Sequence, residues 1–171
     1  MRTHARLVVL LMMVGMLAVA AVGKDVPVPA GDVALTVTGA VALTNGGGAF
    51  AMDEAMLRAL PQVKYFVSDP WMGDNTYGGV LLSTVLEYVG FPLGATQVVL
   101  VASDAKEFPI KIADALTYPI LLVMDDADGA LIAALGGPIK VAYPYNAYPG
   151  LEDLYTPDNW AWYVIELRIE Y

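Results

Sequence analysis

The chain contains no cysteine, and its single histidine is His4, close to the start. Without cysteine there is no disulfide, thiolate nucleophile or thiolate-bound metal. Without a further histidine there is no imidazole base near neutral pH and no nitrogen-rich transition-metal site. The chain must therefore fold without disulfides to stabilise its core. Any reaction would have to use carboxylates, hydroxyls, lysines, backbone groups or a bound cofactor.

Residues 1–23 have the pattern of a secretory signal peptide. Arg2 and Arg6 precede an apolar run, which small residues close at Ala20 and Gly23. A basic start, a short apolar centre and a small-residue exit are what signal peptides share. A membrane-spanning helix needs about 20 apolar residues, and an uncleaved anchor of this kind is the alternative. We predict cleavage after Ala20 or Gly23, which leaves a periplasmic or secreted protein with no membrane attachment.

Residues 24–171 are long enough for a single domain with its own core. The predicted leader holds two of the 9 basic residues and none of the 18 acidic ones, so the remainder is more acidic than the formal net charge of −9 for the whole sequence. Such a charge repels nucleic acid and anionic lipid. We expect a monomer that binds neither.

Hydrophobic periodicity predicts an α+β domain with mixed β-sheets and two or three short helices. The predicted strands cover residues 33–40, 63–68, 96–103, 120–124, 130–134, 139–143 and 162–171. The predicted helices cover residues 54–60, 79–89 and 112–116. Residues 69–77 are interpreted as an irregular loop, and residues 125–129 as a hairpin turn.

The last predicted strand has the cleanest alternation of the sequence. Its apolar residues occupy every second position and its charged residues the positions between. Because successive side chains of a strand point to opposite faces, this pattern predicts that Tyr163, Ile165 and Leu167 share the buried face.

An ordered set of landmarks along the sequence carries a family resemblance. These are Phe50 with Asp53, Leu60-Pro61, Trp71 with Gly73, Tyr77-x-Gly79-Val80-x-Leu82, Gly90, Ser103-Asp104, Asp128-Gly129, Gly137-Pro138 followed by Tyr143-Pro144, and Trp160-x-Trp162. The set resembles the short stand-alone members of the oxidoreductase molybdopterin-binding domain family, which share the sulfite-oxidase catalytic-domain fold. The resemblance covers nearly all of residues 33–171 and implies that fold here.

The resemblance also implies a position for a molybdenum cofactor, and this chain has different residue types at that position. Enzymatic members bind molybdenum through one cysteine on the segment corresponding to residues 66–71, where this chain has Ser68 and Asp69. These two side chains remain as alternative ligands, because serine and aspartate bind molybdenum in other enzyme families. The pterin phosphate needs cationic or N–H donors, and beyond the predicted leader the chain has only two arginines. We therefore expect that the fold is kept without molybdenum–thiolate catalysis. No cofactor is favoured, and molybdopterin is the alternative.

Candidate binding residues come from the predicted loop 69–77, the segment after Gly137-Pro138 and the aromatic-rich stretch 143–163. Aromatic rings with polar edges suit flat rings, sugars or a protein partner. The candidates are Ser68, Asp69, Trp71, Tyr77, Lys140, Tyr143 and Trp160. We predict a binding or interaction module for a small molecule or an envelope protein. The alternative is a molybdopterin-dependent oxidoreductase with an oxygen ligand, or none, from the protein.

Overall fold

The structure is a computed structural model that describes residues 26–171. The predicted signal peptide, residues 1–23, and its cleavage site lie outside the described residues. Within the described range, none of the helices has the length and apolar character that crossing a membrane requires.

The described part of the chain forms nine β-strands and four short α-helices. The strands are β1 Val33–Gly39, β2 Phe50–Asp53, β3 Gln62–Asp69, β4 Gly73–Leu81, β5 Gln97–Ala102, β6 Glu107–Lys111, β7 Leu121–Asp125, β8 Lys140–Ala142 and β9 Val164–Glu170. The helices are α1 Glu54–Ala59, α2 Leu82–Val89, α3 Ile112–Thr117 and α4 Leu151–Leu154.

The strands form two sheets, and the predicted α+β class with mixed sheets is confirmed. A five-stranded sheet has the order β2-β1-β9-β5-β6, in which β1 and β9 run parallel and the other neighbours antiparallel. A four-stranded antiparallel sheet has the order β3-β4-β7-β8. The three predicted helices correspond to α1, α2 and α3, and α4 is an additional single turn.

One hydrophobic core joins the two sheets and the helices. Helix α2 shows how the sequence builds it, because Leu82, Val85, Leu86 and Val89 recur at helical spacing and are all buried. Such a stripe places one face of a helix against the core. Gly90 ends the helix with a positive φ of 67°, a conformation that glycine adopts without steric cost.

The prediction of an irregular loop at residues 69–77 was wrong. Most of this segment is the start of β4, which pairs with β3; the pair nearest the turn is Asp69 of β3 with Gly73 of β4. Helix α2 begins at Leu82 instead of residue 79. The strand was not predicted because its glycines suggested a loop, since glycine usually weakens strands and marks loops. Gly79 is needed within β4, since a Cβ at that position would overlap the carbonyl oxygen of Leu122 on β7.

Two further differences concern strands. β2 and β6 were not predicted, because β2 has only four residues and β6 contains Pro109; proline is tolerated on an edge strand such as β6. The predicted strand at residues 130–134 is reduced to one bridge between Asp125 and Ala130, followed by a 3₁₀ turn at Ala133–Leu135.

The predicted facing of the last strand is wrong at its start. Val164 is buried, whereas Tyr163 and Ile165 are exposed. The pairing register of β9 with β5 shifts between Val101 and Ala102, so that one residue of β9 is left over opposite that step. A bulge of this kind reverses the faces on one side of it, and it turns Tyr163 toward the surface.

Candidate functional site

A buried polar cluster joins the two hairpins of the four-stranded sheet. It consists of Asp69 at the end of β3, Tyr77 in β4 and Lys140 at the start of β8, and we call it the Lys140 cluster. The Lys140 ammonium lies 2.9 Å from Asp69 Oδ2 and 2.7 Å from the Tyr77 hydroxyl, which itself donates to Asp69 Oδ2 at 2.7 Å. The side chains of Asp69 and Lys140 are both 0% exposed. Three residues predicted for the site are therefore together, but closed off from solvent.

The carboxylate of Asp69 is fully used. Its Oδ2 accepts from Lys140 and Tyr77, and its Oδ1 accepts from the backbone N–H groups of Trp71 and Met72 at 2.8 and 3.0 Å. Burial by itself raises the pKa of Asp69, but these hydrogen bonds outweigh it and hold the pKa below its ordinary value. Burial and the nearby Asp69 charge raise the pKa of Tyr77, so that the phenol keeps its proton and donates it.

Three of the other cationic side chains are also paired with carboxylates of this chain. The pairs are Arg58 with Glu54 at 2.7 Å and with Asp125 at 2.9 Å, Arg168 with Glu107 and Glu170 at 2.7 Å each, and Lys106 with Asp104 at 3.0 Å. The two arginines that an anionic cofactor would need are therefore both held by carboxylates of this chain.

Ser68 lies apart from the Lys140 cluster, since neighbouring side chains of a strand point to opposite faces. It is exposed on β3. Its hydroxyl donates to Asp74 Oδ1 at 2.8 Å, and its backbone N–H donates to Asn146 Oδ1 at 2.9 Å. Ser68 thus fastens the loop after β8 to the edge of β3.

Tyr143 belongs to the core. It is 0% exposed and lies between the rings of Tyr145 and Tyr155, with centroids 6.0 and 5.2 Å away and planes within 12°. Trp160 joins this stack through its indole N–H, which donates to the Tyr145 hydroxyl at 2.8 Å. Tyr143 is therefore a packing residue, whereas part of the Trp160 ring reaches a surface cavity.

That cavity, which we call the aromatic cleft, has a volume of about 500 Å³. It lies between the β3–β4 turn, the β5–β6 hairpin tip and the segment before β9. Its lining residues are Trp71, Ala102, Asp104, Lys106, Phe108, Pro157, Asp158, Trp160, Trp162 and Tyr163. Two predicted site residues, Trp71 and Trp160, meet here. Sequence reasoning did not assign Phe108, Asp104 or Lys106 to the site, because β6 and therefore its hairpin with β5 were not recognised.

The Lys140 cluster supports the aromatic cleft from inside. Asp69 fixes the backbone of Trp71, and the Lys140 ammonium lies 5.4 Å from the centre of the Trp162 ring. Gly136 packs on Trp162 so closely that a Cβ there would come within 2.8 Å of the ring. The buried carboxylate therefore fixes the backbone of one aromatic wall, and Lys140 and Gly136 lie against the other.

Comparison with known proteins identifies the fold. No protein-family model and no curated protein matches the sequence. Among solved structures, the crystal structure of the sulfane dehydrogenase SoxCD from Paracoccus pantotrophus is similar, with a TM-score of 0.64 and 14% sequence identity. The likeness covers 80% of this chain but only 37% of that one. The chain therefore has a sulfite-oxidase-like fold, and it spans little more than a third of the related structure's length.

Proposed function

We propose that this chain is an exported, non-catalytic binding module that captures a small molecule or an envelope protein in the aromatic cleft. It would act in the periplasm or outside the cell. Fold alone does not determine function, so the proposal rests on the site. The observation that carries it is the Lys140 cluster, where Lys140, a cation predicted for the binding site, is buried and bound to Asp69 and Tyr77.

The residues of the chain do not fit a molybdopterin. The segment that carries the metal-binding cysteine in the resembling family offers Ser68 and Asp69. The first lies at a solvent-exposed edge bonded to Asp74, and the second already accepts four hydrogen bonds. Within residues 26–171, every buried side-chain nitrogen and oxygen has a hydrogen-bond partner. No buried side-chain nitrogen or oxygen of residues 26–171 is therefore left unpartnered for a bound phosphate or metal to satisfy.

The aromatic cleft supplies the binding part of the proposal. A volume of about 500 Å³ lies in the range of small-molecule and peptide pockets, which are mainly apolar with a few polar groups. Trp71 is 56% exposed although it is a large apolar side chain. Aromatic side chains at a surface cleft are the residue types that contribute most to binding energy.

Cofactor content tests this proposal against its alternative, a molybdopterin-dependent oxidoreductase. Only the fold supports that alternative. Protein purified from its native compartment is measured for molybdenum by elemental analysis and for pterin by fluorescence after oxidation. We expect both to be far below one equivalent per chain. One equivalent of each would overturn the non-catalytic module. Mass spectrometry of the same sample tests the predicted cleavage after Ala20 or Gly23.

A further inference from the structure

The walls of the aromatic cleft present flat apolar rings to solvent. Trp71 and Tyr163 are 56% and 38% exposed. The rings of Trp162 and Tyr163 stand at 72° with centroids 6.3 Å apart, and Pro157 completes the wall. Grooves lined by aromatic residues hold proline rings, which are apolar and pre-shaped.

The three tryptophans that line the cleft each carry an indole N–H, which is a hydrogen-bond donor. The indole N–H of Trp71 donates to the carbonyl of Pro157 at 3.3 Å, and that of Trp160 is bound to Tyr145. No hydrogen bond within residues 26–171 engages the indole N–H of Trp162, and this group is not sealed from water. Trp162 lines the cleft, and its indole N–H is therefore available to a ligand that brings acceptors.

A proline-rich segment has the complementary chemistry. Proline has no backbone N–H, and the polyproline II conformation leaves its carbonyl groups without internal partners. Such a segment is rich in acceptors and poor in donors. The bond from Trp71 to the carbonyl of Pro157 is the same pairing of indole and prolyl carbonyl, made within this chain.

The charge and polarity of the cleft lining narrow the choice of ligand further. Asp104 and Asp158 line the cleft with one cation, Lys106, which is bonded to Asp104. Since the whole chain is acidic, anionic ligands are repelled and a basic side chain is attracted. A sugar would bring many hydroxyl groups that need partners, and the cleft has few polar side chains to meet them.

We propose that the aromatic cleft binds a proline-bearing peptide segment of a partner protein in the polyproline II conformation, with a basic residue beside Asp158. This inference rests on the proposed function and names the ligand class of the same site. It assigns the rings to prolines, the indole N–H of Trp162 to a peptide carbonyl and the carboxylate to the basic residue.

In the test, the purified chain is titrated with oligoproline peptides that carry one arginine at either end. Binding is measured by tryptophan fluorescence and by NMR chemical shifts. Two matched peptides replace the prolines with alternating glycine and serine, or the arginine with glutamate. We expect shifts confined to the cleft, and binding at least tenfold weaker for both matched peptides.

Variants locate the binding surface. Trp71→Ala should weaken oligoproline binding about tenfold or more, as loss of a central aromatic anchor does. Tyr163→Phe keeps the ring and tests the hydroxyl alone, with a smaller loss. Phe66→Ala is the matched control, because Phe66 is 53% exposed on β3 but does not line the cleft, so its binding should equal that of the unmodified chain.

Several results would overturn the inference. These are no cleft shifts with oligoproline, equal binding of the glycine–serine peptide, unchanged binding in Trp71→Ala, or cleft shifts with an oligosaccharide or tetramethylammonium alone. They leave the proposed function standing if the preparation is free of molybdopterin. One equivalent of molybdopterin in the same preparation would overturn the proposed function whatever the peptides do.

Discussion

The Lys140 cluster and the aromatic cleft lie against each other but use their polar groups in opposite ways. In the cluster, the charges of Lys140 and Asp69 are shielded from solvent and satisfy each other. In the cleft, the Lys106–Asp104 ion pair is exposed to solvent and the indole N–H of Trp162 has no partner within residues 26–171. The difference shows that the buried charges of Lys140 and Asp69 stabilise the fold, whereas the surface that can contact a ligand is mainly aromatic.

This contrast explains why the two regions depend on one another. An isolated buried charge is costly, and a buried ion pair is tolerated only with good geometry and further hydrogen bonds. Asp69 meets that demand by also binding the backbone of Trp71. Rigid support from below keeps an aromatic wall in one position, which lowers the ordering cost of binding.

The largest expected effect follows from removing the buried cation. Lys140→Ala leaves the Asp69 carboxylate buried without its ammonium partner, and breaking such a pair costs about 3–5 kcal/mol of the free energy of unfolding. Urea denaturation monitored by circular dichroism measures it. The double variant Lys140→Met with Asp69→Leu is the matched control, because replacing both charges by apolar groups is often close to neutral. A loss below about 1 kcal/mol, the range of solvent-exposed pairs, would show that the cluster is open to water, and the contrast with the cleft would fail.

The sequence predicted the fold where periodicity is strong. Alternating or apolar runs identified the strands now numbered β1, β5, β7 and β9. β4 was missed because Pro70 and Gly73 suggested a loop and Gly79 was assigned to the following helix, although the close approach of β7 requires a glycine at position 79. The exposure of Tyr163 could not be predicted, since it follows from a bulge in the pairing of β9 with β5, which only tertiary structure determines.

The site could be predicted only in part, because a sequence shows residue types without their partners. Asp69, Tyr77 and Lys140 were all named, and the structure brings them together. Their mutual hydrogen bonds, which close them to a ligand, depend on the pairing of β3, β4, β7 and β8. Phe108 was not named, since β6 carries a proline and gave no strand signal.

A smaller effect tests the charge of Asp69. Asp69→Asn keeps the shape but loses a charge-assisted acceptor, and should cost about 1.5–3 kcal/mol at neutral pH. Because the pKa of Asp69 lies below its ordinary value of 3.8 in the folded chain, the unfolded chain binds more protons in acid. The stabilisation from Asp69 is therefore complete above the ordinary value and is lost as the pH falls through the folded value. Denaturation across this range should show the gap between the two proteins shrinking with acid. A gap that is constant with pH would contradict the ionised pair.

A comparable or smaller effect tests the support of Trp162. Gly136→Ala places a Cβ within 2.8 Å of the indole at a positive φ of 93°, and overpacking of this kind costs about 1–3 kcal/mol. Displacement of the ring should weaken oligoproline binding as well. Gly150→Ala is a suitable control, since a Cβ there meets no atom within 4 Å. Equal stability and equal binding in the two variants would show that Trp162 is not held in place from this side.

The smallest expected effect on stability comes from the exposed ion pair. Lys106→Ala should leave the unfolding midpoint unchanged, because the side chains of Lys106 and Asp104 are 74% and 54% exposed and solvent screens such pairs. The same change removes the one cation that lines the cleft within residues 26–171 and releases Asp104. Binding of arginine-bearing oligoproline should therefore become tighter, and more strongly weakened by salt. Lys64→Ala removes an exposed lysine away from the cleft and controls for net charge. If both variants changed binding equally, the effect would belong to the overall charge of the chain, and the carboxylates of the cleft would have no special role in recognition.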